Sequence, residues 1–146
     1  MKIAIGCDPN AQQAKEELMK FIETKGYGEL TDFGSEDPIY ANTAIKVAEA
    51  VAAGEYDRGI LICGTGIGVS IAANKVKGAY AALLSDVYSA QRARLSNDAN
   101  IACMGAFTSG SKERELMTEA FLTNEFVLGC SSQPKVDAFV EYDKNR

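Results

Sequence analysis

The stretch Gly59-Ile-Leu-Ile-Cys-Gly-Thr-Gly-Ile-Gly-Val-Ser-Ile-Ala-Ala-Asn-Lys75 limits the fold more than any other part of this 146-residue chain. Ile60, Leu61 and Ile62 form an unbroken apolar run, which suits a strand covered on both faces. Cys63 follows, and Gly64, Gly66 and Gly68 alternate with Thr65 and Ile67. Val69 to Lys75 reads as the first turns of a helix. A strand that turns through glycines into a helix places backbone N–H groups at the positive end of the helix dipole, where an anion is favoured. A cysteine there is expected to favour its thiolate and to serve as a base or nucleophile. Two readings stand side by side, because cysteine is also a small core residue and the glycines can serve strand–helix packing alone. The place of Cys63 at the carboxyl end of a buried strand, where ligands sit in open α/β sheets, favours the functional one.

The rest of the composition narrows the partners. The length suits one domain, residues 1–146, with a sizeable core. A net charge of -5 with no basic run argues against nucleic acid or an anionic membrane surface. No apolar run approaches the ~20 residues of a membrane span, and Met1 leads straight into a strand pattern, so no signal peptide is expected. Cys7, Cys63, Cys103 and Cys130 lack metal-ligand spacing and point to free thiols in a reducing cytoplasm. Histidine is absent, which removes the commonest general acid–base and the commonest zinc ligand. Neither a metal nor a cofactor is expected.

Strand patterns are expected at 2–8, 30–33, around 60–62, 78–85 and 99–105, and helices at 11–25, 40–53, 87–95, 111–123 and 134–146. This alternation predicts a three-layer, doubly wound, mostly parallel sheet of about five strands, Rossmann-like in form. Its carboxyl edge is expected to gather Asp8, Cys63, the glycine loop and Asn97, a set suited to a polyhydroxylated, anionic small molecule. Asp8 reads as a ligand for hydroxyls or as a helix cap, and Tyr40 as a phenol near the edge or as packing. Arg92 and Arg94 read as a solvated face. Cys7 and Cys103 read as core. The stripe Val136, Phe139 and Val140 suggests that the last helix docks on a neighbouring subunit.

Three segments together carry a resemblance: Ile5-Gly6-Cys7-Asp8, Ile62 through Lys75, and Asn97-Asp98-Ala99-Asn100. They resemble the ribose-5-phosphate isomerase B and galactose-6-phosphate isomerase family, in order and spacing from residue 1 to about residue 123. The resemblance implies a metal-independent enzyme that interconverts aldose and ketose phosphates, as in the pentose phosphate pathway, through a cis-enediolate. It implies that Cys63 moves the proton between C1 and C2. The segment Gly64, Thr65, Gly66, Ile67, Gly68 and Ser70 would then hold the developing oxyanion with backbone N–H groups and the Thr65 hydroxyl. Asp8, Tyr40 and Asn97 match positions that contact sugar hydroxyls. The family forms homodimers, often paired into homotetramers, with sites built from two subunits.

The departures are as informative. Where the family reads Cys-Asp-His this chain has Cys7-Asp8-Pro9, and Ser96 stands where the family places a ring-opening histidine before Asn97. A serine of ordinary acidity does not replace an imidazole as proton donor. The C-terminal Gly-Gly-Arg-His setting that grips phosphate is here Gly129-Cys130-Ser131-Ser132-Gln133-Pro134-Lys135, so Lys135 is the candidate substitute, without a bidentate fork. Four readings follow: an isomerase of the ribose 5-phosphate/ribulose 5-phosphate type, an isomerase of an acyclic tetrose 4-phosphate that needs no ring opening, one subunit of a heteromeric galactose-6-phosphate isomerase, or a non-catalytic sugar-phosphate-binding protein.

Overall fold

The computed structural model describes all 146 residues. Five strands, β1 (Lys2–Cys7), β2 (Glu29–Asp32), β3 (Arg58–Cys63), β4 (Ala81–Leu83) and β5 (Ile101–Gly105), form one sheet in the order β2-β1-β3-β5-β4. Every pairing is parallel. Around the sheet lie α1 (Gln12–Lys25), α2 (Tyr40–Ala52), α3 (Ile67–Ala73), α4 (Val87–Leu95), α5 (Ser111–Thr123) and α6 (Gln133–Lys144). A short 3-10 turn, Pro9–Ala11, precedes α1.

Alternation along the central strand creates two cores. Ile60 and Ile62 face α1, α4 and α5, packing with Leu18, Ile22, Ala90, Met117 and Phe121. Leu61 and Cys63 face α2 and α3, packing with Val47, Val51, Val69 and Ala73. This period-two division is why a continuous apolar run is needed here. The strand order reverses between β1 and β3, so the crevice that such sheets offer to ligands opens where Asp8 and Cys63 end their strands.

One expectation shifts at the edges. The fourth strand is shorter than its apolar sequence predicts, because side chains take the donors that a ladder would use. Asp143 accepts from the Gly78 N–H at 2.8 Å and Asn100 from the Tyr80 N–H at 2.8 Å. The last helix packs on its own chain: Asp143 also accepts from the Tyr80 hydroxyl at 3.0 Å, Tyr80 and Phe139 lie with ring centroids 5.4 Å apart, and Val136 is buried.

Candidate active site

Cys63 ends β3 and is 5 % exposed, and the Gly66 N–H donates to its Sγ at 3.1 Å. Gly66 holds φ at +80°, and a Cβ there would come within 2.9 Å of the Met104 backbone, so the turn tolerates only glycine. The Ile67 N–H donates to Thr65 Oγ1 at 3.3 Å. The N–H groups of Gly64, Thr65, Gly68 and Val69 make no hydrogen bond within the chain. They are the unspent donors of a glycine turn and a helix start. Ser70 sits one turn into α3 and interacts with the Cys103 thiol, whose acidity burial suppresses, with Cys63 nearby adding to the effect.

Two expected residues reach this turn. The Tyr40 phenol lies against Gly68 so closely that a Cβ at that position would overlap its ring. The Asp8 N–H donates to the Ile62 carbonyl at 3.0 Å, and one carboxylate oxygen caps the 3-10 turn through the Asn10 N–H at 2.6 Å. Its second oxygen takes no hydrogen bond in the chain, so the cap and the ligand role are compatible. Phe107 is not among the residues that the sequence singles out. Its N–H donates to the Gly64 carbonyl at 2.9 Å and its exposed ring lies over Gly64, on the loop that leaves β5. The rule that strand carboxyl ends carry ligands points to that loop as much as to the one after β3.

Asn97 and Ser96 are elsewhere, and the expected gathering of Asn97 with Cys63 at one edge does not occur within the chain. In a parallel sheet each helix returns the chain to the amino edge, so the turn from α4 to β5 lies level with Arg58, at the far end of β3. Cys63 is roughly 16 Å further along the strand. This turn is held firmly. Arg94 is 3 % exposed rather than solvated, and donates to Asp98 at 2.9 Å and to the Ala99 carbonyl at 2.6 Å. It also reaches Glu125, which Arg58 shares. Asp98 accordingly adopts φ +48°. Arg92 donates to Ser96 Oγ at 2.8 Å. Lys135 is exposed in the first turn of α6, and no side-chain contact brings it to the Cys63 turn. Cys7 and Cys103 are buried as expected, Cys130 partly so, and all four cysteines are free. No helix is long and apolar enough to cross a membrane.

The family model described as Ribose/Galactose Isomerase matches residues 3–139. The chain is 49 % identical to the Ribose-5-P isomerase B of Listeria innocua over 150 residues, covering all of both proteins. It is 42 % identical to the D-erythrulose-4-phosphate isomerase of Pectobacterium atrosepticum, covering 98 % of this chain and 95 % of that one. The solved structure of Clostridium thermocellum ribose-5-phosphate isomerase B superposes with a TM-score of 0.92 at 40 % identity, covering 99 % of each chain. A parallel five-stranded sheet, a cysteine at the switch point, free N–H groups around it and these likenesses along the whole chain agree: the chain belongs to the Ribose/Galactose Isomerase family of sugar-phosphate isomerases.

Proposed function

We propose that the chain interconverts an aldose phosphate and its ketose through a cis-enediolate, with Cys63 as the base, on a substrate of the ribose 5-phosphate type. The observation that carries this reading is the position of Cys63 Sγ at the crevice beside four unpaired backbone N–H groups. In this reading the Cys63 thiolate takes the proton from C2 of the aldose and returns it to C1. A second proton moves from the C2 hydroxyl oxygen to the C1 oxygen, so atoms balance without an oxidant or a metal. The free N–H groups and the Thr65 hydroxyl face the negative charge that grows on the C1 oxygen, where fixed donors act most strongly. Asp8 and Tyr40 hold the sugar hydroxyls.

The site is completed by a second copy. Asn97 lies at the amino edge of its own chain, so a second subunit must present it to Cys63, together with Ser96 and with Lys135 as a charge. Such a dimer or tetramer is supported by the exposed apolar side chains of Ile67 and Ile71 on α3 and of Tyr88 on α4. Four free thiols fit a cytoplasmic protein.

A second reading, an acyclic tetrose 4-phosphate substrate, is favoured by Pro9 and Ser96 standing where the family carries histidines. A sugar whose O4 carries the phosphate cannot close a furanose and needs no ring-opening acid. The Pectobacterium relative bears the name of such an enzyme. Steady-state isomerisation over tetrose, pentose and hexose phosphates decides: turnover of ribose 5-phosphate supports the first reading, a tetrose preference the second, and no turnover of any sugar overturns both. Lys135→Ala is expected to raise KM with little change in kcat; unchanged KM removes Lys135 from the site.

A further inference from the structure

Arg114, in the first turn of α5, is only 7 % exposed. Its Nη1 donates to the Ser109 carbonyl. Its Nε and Nη2 donate to nothing in the chain, since the nearest carboxylate, Glu17, stays 3.8 Å from Nη2, beyond hydrogen-bond reach. Neither atom is fully enclosed, so both donors stay open to an acceptor that enters from solvent. Those donors line a cleft of about 280 Å³ with Asn10, Gln13, Glu17, Ala106 and Phe107. The amide of Gln13 donates to Glu17 at 3.0 Å, and the side chain of Asn10 makes no hydrogen bond in the chain.

This cleft adjoins the Cys63 turn. The Ala106 N–H donates to the Cys63 carbonyl at 2.8 Å, and the Phe107 ring that covers Gly64 also lines the cleft. Cys63 faces the α2 and α3 side of the sheet, whereas Arg114 lies on the α1 and α5 side. A ligand lying across the carboxyl edge would therefore place one end at the sulfur and the other at the guanidinium.

We propose that Arg114, aided by the Asn10 and Gln13 amides, holds the phosphate terminus of the sugar, and that Glu17 is the carboxylate this phosphate displaces. The proposal rests on the reading of Cys63 as the isomerising base. Arg114 is the cleft's sole cation and Glu17 its sole anion. A dianionic phosphate accepts two parallel N–H bonds from the guanidinium fork, which a loosely placed carboxylate does not match. A neutral sugar cannot displace Glu17, so the pair also selects for a phosphorylated substrate. Glu17 is the more exposed member, with its side chain 43 % exposed.

The test measures the Kd of inorganic phosphate by calorimetry for the parent chain, Arg114→Met, Arg114→Lys, Glu17→Gln and Cys63→Ala, with KM and kcat on the best sugar phosphate. Arg114→Met is expected to raise the Kd and KM about tenfold with kcat largely kept, and Arg114→Lys to rescue part of the loss. Glu17→Gln should tighten phosphate about threefold by removing a competing charge; Cys63→Ala should leave it unchanged. Inorganic phosphate should compete with the substrate. A folded Arg114→Met that binds phosphate like the parent overturns the proposal, as does noncompetitive inhibition or a parent that binds no phosphate. Should Arg114→Met fail to fold, Glu17→Gln decides, and unchanged or weaker binding there overturns it. Phosphate binding of the expected pattern without turnover of any sugar would leave the cleft standing and remove the isomerase reading instead.

Discussion

At the carboxyl end of β3, Cys63 is followed by eleven residues without a charge, and four backbone N–H groups there have no partner. At the amino end of the same strand, Arg58 shares Glu125 with Arg94, and Arg94 spends its remaining donors on Asp98 and on the carbonyls of Ala99 and Asn124. One end leaves its donors free and makes its shape with glycine; the other consumes nearly all of them in holding one turn. In the proposed isomerase this difference separates chemistry from scaffolding on a single strand: the free donors take up a ligand's charge, while the other end holds rigid the turn that carries Asn97.

The sharpest way to break this contrast is to remove the sulfur. Cys63→Ala should lower turnover by roughly 10³-fold while leaving the thermal midpoint within a few degrees of the parent. Residual turnover near the parental rate would show that the carboxyl end is not the chemical one. The next test asks whether the two ends meet in one site. Cys63→Ala and Asn97→Ala chains, each weakened alone, should recover roughly a quarter of parental activity when mixed and allowed to exchange subunits. In such a dimer one of the two composite sites has both residues intact. No recovery would mean that Asn97 does not act across an interface.

Smaller effects probe the scaffold. Arg94→Met should cost about 2–3 kcal/mol in denaturant unfolding, because it strands buried carbonyls and frees the Asp98 turn. Activity should fall further than that of a control variant of equal stability. A stability loss below about 0.5 kcal/mol would place Arg94 among ordinary surface charges. Last, hydrogen bonds from the Gly78 N–H, and then from Arg146 and Tyr80, hold the Asp143 carboxyl below the usual carboxylate range. Its contribution is present above the ordinary carboxylate pKa and is lost as pH falls through the depressed folded value. Below about pH 4 the parent should lose thermal stability more steeply than Asp143→Asn; identical acid profiles would remove this anchor from α6.

The glycine turn could be read from the sequence because everything that shapes it lies within eight residues. A buried strand, a cysteine and a run of glycines leave few alternatives, and the two-sided core follows from the same apolar run. Tyr40 was readable as a position but not as a contact, since its ring meets Gly68 across the gap between α2 and α3. Asn97 was misplaced for a topological reason: its sequence marks a strand entrance, and the winding of the sheet sends every entrance to the opposite edge. The length of β4, the burial of Arg94 and the unspent donors of Arg114 depend on Asp143, Glu125 and the neighbouring α1. Those partners are tens to a hundred residues away, and no local pattern announces them.

A chain that carries complementary half-sites at opposite ends of one sheet does not need both halves intact in every copy. After gene duplication, one descendant can keep the thiol edge while the other keeps the presenting turn, and the pair still assembles one working centre. Such a division frees the abandoned edge of each descendant to drift toward a new sugar. With Asn97 serving a second copy as proposed, this architecture is a ready starting point for enzymes composed of two unequal chains.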